Sequence, residues 1–364
     1  MKDIQQHMQA VLERMVDEGR ERGVQLAAYH EGELIVDASA GIADRRTGRA
    51  VNGRTLFPVF STTKGIASTV LHHVMERQGI DYDLRIAELW PEFGANGKER
   101  ATIRHALSHT TGIPHMPDGI GLAEVVDWDR MAAETAKLVP QWPPGERMEY
   151  HAITFGWIVG EIARRLDGRP FARILEEDIC DPLGIRDELF VGIPDEADAR
   201  VAYLEEPGFD PAAFPAAGLQ AIPAWVTPLA DWMNRPDARR ACVPASNGIM
   251  SAKAIAKHYA ALLPDGADGI RLLPESRIRL ATALQDLPSQ EPQYRALGYH
   301  IGSPGSIMGG SPSAFGHGGY GGSIGFADPD HRLAIAYVNN LYTPQSAGTA
   351  IIHELKNALG IAIE

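Results

Sequence analysis

The chain has 364 residues, 45% hydrophobic and 22% charged, a globular composition with length enough for one large domain or two interleaved ones. Its formal net charge of -13, with no compensating basic block, argues against a nucleic-acid partner and leans mildly against anionic substrates. The polar start Met1-Lys2-Asp3-Ile4-Gln5-Gln6-His7 lacks the apolar centre of a signal peptide, and no apolar run reaches membrane-spanning length. Cys180 and Cys242 offer no disulfide framework, so a cytoplasmic chain with no membrane partner is expected.

Ile4, Met8, Val11, Leu12 and Met15 recur at helical spacing and predict an amphipathic opening helix that ends near Gly23. Two strand-like runs, 24–30 and 34–41, flank Glu31-Gly32-Glu33 and predict a hairpin. After the apolar run Leu56-Phe57-Pro58-Val59-Phe60 the pattern becomes helical, with Ser61 and Lys64 placed in the first turn. The middle of the chain is Pro-punctuated, with helices expected near 103–108, 123–138, 154–166, 172–179 and 252–263. Glu205 to Pro211 and Pro264-Asp265-Gly266 read as loops. Strand signals return at 296–302, 323–327 and 333–338, and a closing helix spans about 346–359. This order predicts an α+β fold. An antiparallel sheet is built from both chain ends (1–80 and 290–364) and flanked by terminal helices, with a mainly helical subdomain, 81–289, inserted between them.

Three segments carry chemistry. In Ser61-Thr62-Thr63-Lys64 the serine and lysine lie one helical turn apart on one face, so a neutral amine there can take the hydroxyl proton and make a nucleophile. Tyr150 stands on the turn before a helix that opens near Ile153, after Pro143-Pro144-Gly145. A phenol beside a lysine ammonium is expected to have a lowered pKa and to exchange protons with a serine or leaving group. The third segment is Phe315-Gly316-His317-Gly318-Gly319-Tyr320-Gly321-Gly322. Glycines at that density weaken a strand but allow close backbone approach, and such an edge can offer an N–H to an oxyanion.

Together these segments resemble the serine β-lactamase-like superfamily of class C β-lactamases, penicillin-binding-protein-like peptidases and family VIII carboxylesterases, most closely the last. Its motifs align with Ser61-Thr62-Thr63-Lys64, Tyr150-His151-Ala152 and His317-Gly318-Gly319, in order and across nearly the whole chain. Leu107-Ser108-His109-Thr110-Thr111-Gly112-Ile113-Pro114 and Asn247-Gly248-Ile249-Met250-Ser251 support the match. The resemblance implies a β-lactamase/transpeptidase-like fold, Ser61 as nucleophile, Lys64 as its base partner and Tyr150 as proton shuttle. It also implies an oxyanion hole from the backbone N–H groups of Ser61 and Tyr320, with His317, Gly318, Gly319 and Ala152 at the substrate. It implies no metal and no organic cofactor.

Two departures bear on the substrate. Antibiotic-hydrolysing and peptidase members keep an Asn two residues after the tyrosine and a Lys at the head of the third motif; here Ala152 and His317 stand there. Losing an amide hydrogen bond and a fixed charge disfavours a β-lactam or peptide carboxylate and favours a neutral acyl compound, so a carboxylesterase acting on a small-molecule ester is expected. An acyltransferase, a β-lactamase or a D-amino-acid peptidase on the same site is the alternative, with a non-catalytic binding protein behind them. A zinc hydrolase is disfavoured: His105 and His109 have i, i+4 spacing but no Glu sits between them. Acyl selection is assigned to loops at about 113–141 and 200–243. The oligomeric state is open, a homo-oligomer included.

Overall fold

The computed structural model describes residues 2–210, 221–289, 292–343 and 346–362; Pro211 and the 211–220 part of the expected 200–243 loop lie outside them. The chain opens with helix α1 (Lys2–Asp17), then strands β1 (Gly23–His30), β2 (Glu33–Asp44), β3 (Arg49–Ala50) and β4 (Phe57–Phe60). Helix α2 (Thr63–Gln78) follows, and the middle segment supplies α3 (Thr154–Asp167), β5 (Leu189–Val191), β6 (Gly248–Met250) and α4 (Ala252–Ala260) among shorter helices. Strands β7 (His300–Ile301), β8 (Phe315–Gly318), β9 (Ile324–Asp328) and β10 (Leu333–Asn339) precede the closing helix α5 (Gly348–Ala358).

Seven strands form one antiparallel sheet in the order β3-β2-β1-β10-β9-β8-β7, so the first and last long strands pair at its centre, from Val24 opposite Asn339 to His30 opposite Leu333. Strand alternation sorts the side chains onto two faces. Val24, Leu26, Ile335, Tyr337 and Phe326 face the terminal helices, where Met8, Leu12, Ile351 and Leu355 cover them. Ala27, Tyr29, Ala334, Ala336 and Phe315 face α2 and α4. Small residues on that second face bring the helices close. A Cβ on Gly325 would stand 2.2 Å from Ile255 Cγ2, and one on Gly65 would stand 2.0 Å from the Tyr259 hydroxyl.

A second sheet, β4-β6-β5, was not anticipated. Its strands are three or four residues long and fully or nearly buried, too short to show period-2 alternation. The expected helix 123–138 is broken into Leu122–Val125 and Trp128–Lys137, the second capped by Asp127, whose carboxylate accepts from Arg130 N. Only His300–Ile301 of the expected 296–302 strand is paired. Among the described residues no helix is long and apolar enough to cross a membrane.

Candidate active site

Ser61 does not lie inside the helix. It precedes Thr62, the N-cap of α2, and follows Phe60, whose φ of 45° is the left-handed turn that ends β4. Thr63 holds this corner: its hydroxyl donates to Phe60 O and accepts from Gly248 N at 2.8 Å, tying the turn to β6. A turn hydrogen bond from Lys64 N to Ser61 O, 3.0 Å, keeps the two residues on one side.

Lys64 is wholly buried, and its Nζ has three neighbours: Ala152 O at 2.7 Å, Ala245 O at 2.9 Å and Ser61 Oγ at 3.1 Å. Burial, reinforced by the charge of Arg295, holds its pKa well below the ordinary lysine value. A neutral amine has two N–H groups and one lone pair. With two of its positions on the carbonyls, the third points at Ser61 Oγ, which is where a lone pair would stand in the neutral form.

Tyr150 is hydrogen-bonded with Ser61, and Lys64 Nζ lies 4.9 Å from its ring centre. The expected lowering of its pKa does not occur. Burial pushes the phenol up to about 12, outweighing the Ser61 hydrogen bond and the Arg295 charge. His109, with φ 61°, sits behind it: its ring lies 4.8 Å from that of Tyr150 and stacks on Phe155, and its Nδ1 accepts from His151 N at 3.1 Å. His105 caps a short helix, its Nδ1 accepting from Thr102 N at 3.2 Å. Both imidazoles therefore have structural partners.

Strand β8 ends beside Ser61. His317 is buried, and its Nδ1–H donates to Gly318 O at 2.7 Å, so the tautomer leaves Nε2 as an acceptor with no partner. Burial above all holds its pKa well below the usual histidine range. Gly319 packs on the nucleophile turn: a Cβ there would stand 2.1 Å from Val59 O and 2.5 Å from Ser323 Oγ, and its N–H donates to Ser323 O at 2.7 Å. Tyr320 follows, with its hydroxyl donating to Glu206.

A cavity of about 360 Å³ opens over Ser61 and takes in Tyr150, Ala152, His317, Gly318 and Tyr320, while Gly319 stays behind its wall. Much of its lining is apolar: Phe60, Ile153, Val226, Leu229, Trp232 and Met233. Arg295 and His300 line it as well, and the sequence reading had singled out neither. Trp232 lines this cavity, with Trp225 edge-on to it at 5.2 Å. Arg295 stacks over Tyr150, 5.1 Å from ring centre to guanidinium carbon, and donates to His300 Nε2 at 2.6 Å. The His300 ring lies 4.1 Å from that of His317. No local pattern marks Arg295, which stands outside any helix or strand; Val226, Leu229, Trp232 and Met233 fall within the expected 200–243 segment, on a short turn and the helix Leu229–Met233.

The family model described as Beta-lactamase matches residues 8–358. The chain belongs to the beta-lactamase family. Within that family it is similar to the Esterase/beta-lactamase LipL of Mycobacterium tuberculosis, 33% identical over 368 residues that cover 92% of this chain and 82% of that one. A family VIII carboxylesterase superposes with a TM-score of 0.86 at 30% identity, and a penicillin-binding protein homolog from Caulobacter crescentus with 0.84 at 33%; each match covers 97% of both chains. The beta-lactamase-family fold and the mixed α/β architecture expected from the sequence are both present, and the chain is an enzyme of this hydrolase superfamily.

Proposed function

We propose that this enzyme hydrolyses carboxylic esters with a neutral, apolar acyl group through an acyl-enzyme on Ser61. The observation that carries the reading is the Lys64 amine, desolvated, held by two carbonyls and placed 3.1 Å from Ser61 Oγ, so that its neutral form can accept the hydroxyl proton. Lys64 takes the Ser61 proton as Oγ bonds to the ester carbon, and the carbonyl oxygen moves into the Ser61 and Tyr320 backbone N–H groups. Tyr150, a protonated phenol at neutral pH, gives its proton to the leaving alkoxide as the C–O bond breaks, and regains one from the Lys64 ammonium. Water then repeats the sequence against the acyl-enzyme.

The apolar lining of Val226, Leu229, Trp232 and Met233 suits an uncharged acyl chain, and Ala152 offers no side-chain hydrogen bond to an acylamino group. The names of LipL and of the family VIII carboxylesterase support ester cleavage. The test compares 4-nitrophenyl acetate and butyrate with a chromogenic cephalosporin, using wild type and Ser61→Ala. Ester cleavage that depends on Ser61, with weak lactam turnover, is expected; lactam turnover exceeding ester turnover would overturn the substrate assignment.

A further inference from the structure

Tyr320 stands in a run of glycines. Gly318 and Gly319 precede it, and Gly321 (φ 81°) and Gly322 (φ 101°) follow it in backbone conformations that glycine adopts freely. Such a backbone has little stiffness of its own, so the place of the Tyr320 N–H depends on what its side chain touches. The ring packs edge-on against Phe60 at 5.8 Å and against Tyr342 at 5.8 Å. Phe60 directly precedes Ser61, so this contact joins the two segments whose N–H groups are assigned to the oxyanion. At the far end of the ring the hydroxyl donates to Glu206 Oε1. Glu206 is half-buried and held from the end of β10: its neighbour Glu205 donates its N–H to Asn340 O and accepts from Tyr342 N, both at 2.8 Å. The second carboxylate oxygen, Oε2, accepts from Ala230 N at 3.2 Å. Ala230 lies in the first turn of the helix Leu229–Met233, which lines the cavity with Leu229, Trp232 and Met233.

We propose that Glu206 is a positioning residue that sets the oxyanion contact and the acyl fit together, Oε1 fixing Tyr320 and Oε2 fixing the helix Leu229–Met233. It acts through these neighbours and touches no reacting atom. Each oxygen serves one task, so the two tasks separate by mutation. Removing the Tyr320 hydroxyl loosens the oxyanion segment and leaves the helix tied. Removing the carboxylate loosens both. A glutamine offers a carbonyl oxygen to Ala230 N and an amide N–H to the phenol oxygen, so it keeps both contacts without the charge. The inference rests on the Ser61 acyl-enzyme reading for the role of the Tyr320 N–H.

The experiment measures kcat and KM for 4-nitrophenyl acetate and butyrate in wild type, Tyr320→Phe, Glu206→Ala and Glu206→Gln. Tyr320→Phe lowers kcat for both esters by the same factor, about tenfold to a hundredfold, the cost of a displaced oxyanion donor. Glu206→Ala lowers kcat as far and also shifts the butyrate-to-acetate ratio of kcat/KM by about fivefold or more, as a loosened acyl wall requires. Glu206→Gln restores most of both. Binding of butylboronic acid, whose tetrahedral adduct with Ser61 places an oxygen at the oxyanion position, is followed by tryptophan fluorescence and needs no turnover. Its Kd rises about tenfold in Tyr320→Phe and Glu206→Ala. A partly unfolded preparation would lose amplitude without changing Kd. Boronate binding that persists in Ser61→Ala overturns the acyl-enzyme reading beneath the proposal. Ser61-dependent binding with Kd within about twofold of wild type in both Tyr320→Phe and Glu206→Ala, or an acyl ratio unmoved in Glu206→Ala, overturns the proposal alone.

Discussion

The chemistry of Lys64 depends on where its three hydrogen-bonding positions point. Two backbone carbonyls, Ala152 O and Ala245 O, fix the N–H groups, and burial removes the solvent that would favour a charged ammonium. The pH dependence follows with a definite sign. In the proposed mechanism the active form has Lys64 neutral, so kcat/KM should rise with pH through a lysine pKa held well below 10.5 and then level off. The phenol of Tyr150, pushed up to about 12, stays protonated through that range and contributes no fall below about pH 11. His109 and His317 lie well below the usual histidine range and stay neutral. Stopped-flow rates from pH 5 to 11 should therefore show one rising limb and a plateau. Because the Arg295 charge helps hold the Lys64 pKa down, that limb should move to higher pH in Arg295→Gln; an unmoved limb would remove Arg295 from the Lys64 environment.

The motif residues Ser61, Lys64, Tyr150 and His317 were legible at this scale because each sits in a short local pattern. Arg295, His300 and Glu206 were not, since a polar residue outside a recognisable motif looks the same in sequence whether it faces solvent or a cavity. The Tyr150 shift also went the other way from expectation, because burial is not written in the residues adjacent in sequence.

Elements position the site through one corner, the β4–α2 junction. β4 pairs with β6 from Phe57 opposite Met250 to Phe60 opposite Gly248, and Thr63 bridges the same two segments. Replacing Thr63 by Val removes a buried acceptor for Gly248 N and should cost about 1–3 kcal/mol in urea unfolding, with a loss of kcat larger than any change in KM. Stability unchanged within about 0.5 kcal/mol would show that Thr63 does not hold the corner. The long helices α2, α3 and α4 were readable from their periodicity. The short strands β4, β5, β6 and β8 were not, because burial on both faces or a high glycine content erases the alternation that marks a strand.

Across the whole molecule the two chain ends are stitched at Glu21, just after α1. Its carboxylate accepts from the Tyr337 hydroxyl at 2.6 Å, from Ala347 N at 2.7 Å and from Asn339 Nδ2 at 3.3 Å, joining the first helix to β10 and to the start of α5. Burial raises the Glu21 pKa, so the group is costly to charge and is held by these donors. Glu21→Ala leaves the buried Tyr337 hydroxyl and the Ala347 N–H without their acceptor and should destabilise the fold by about 2–4 kcal/mol, measured by chemical denaturation. A change below about 0.5 kcal/mol would mean that the ends are held by the sheet alone. A sheet built from both ends was foreseeable from strand signals that cluster at the two termini. Its central β1–β10 pairing follows from the covering helices, which the amphipathic pattern of α1 already required.

The most direct test of the account is to quench the enzyme during turnover of 4-nitrophenyl butyrate and map the acylated peptide by mass spectrometry. The account predicts one butyryl group, carried by Ser61 and absent from Ser61→Ala, which should also lose ester turnover. A butyryl group on another residue, or undiminished turnover by Ser61→Ala, would contradict it.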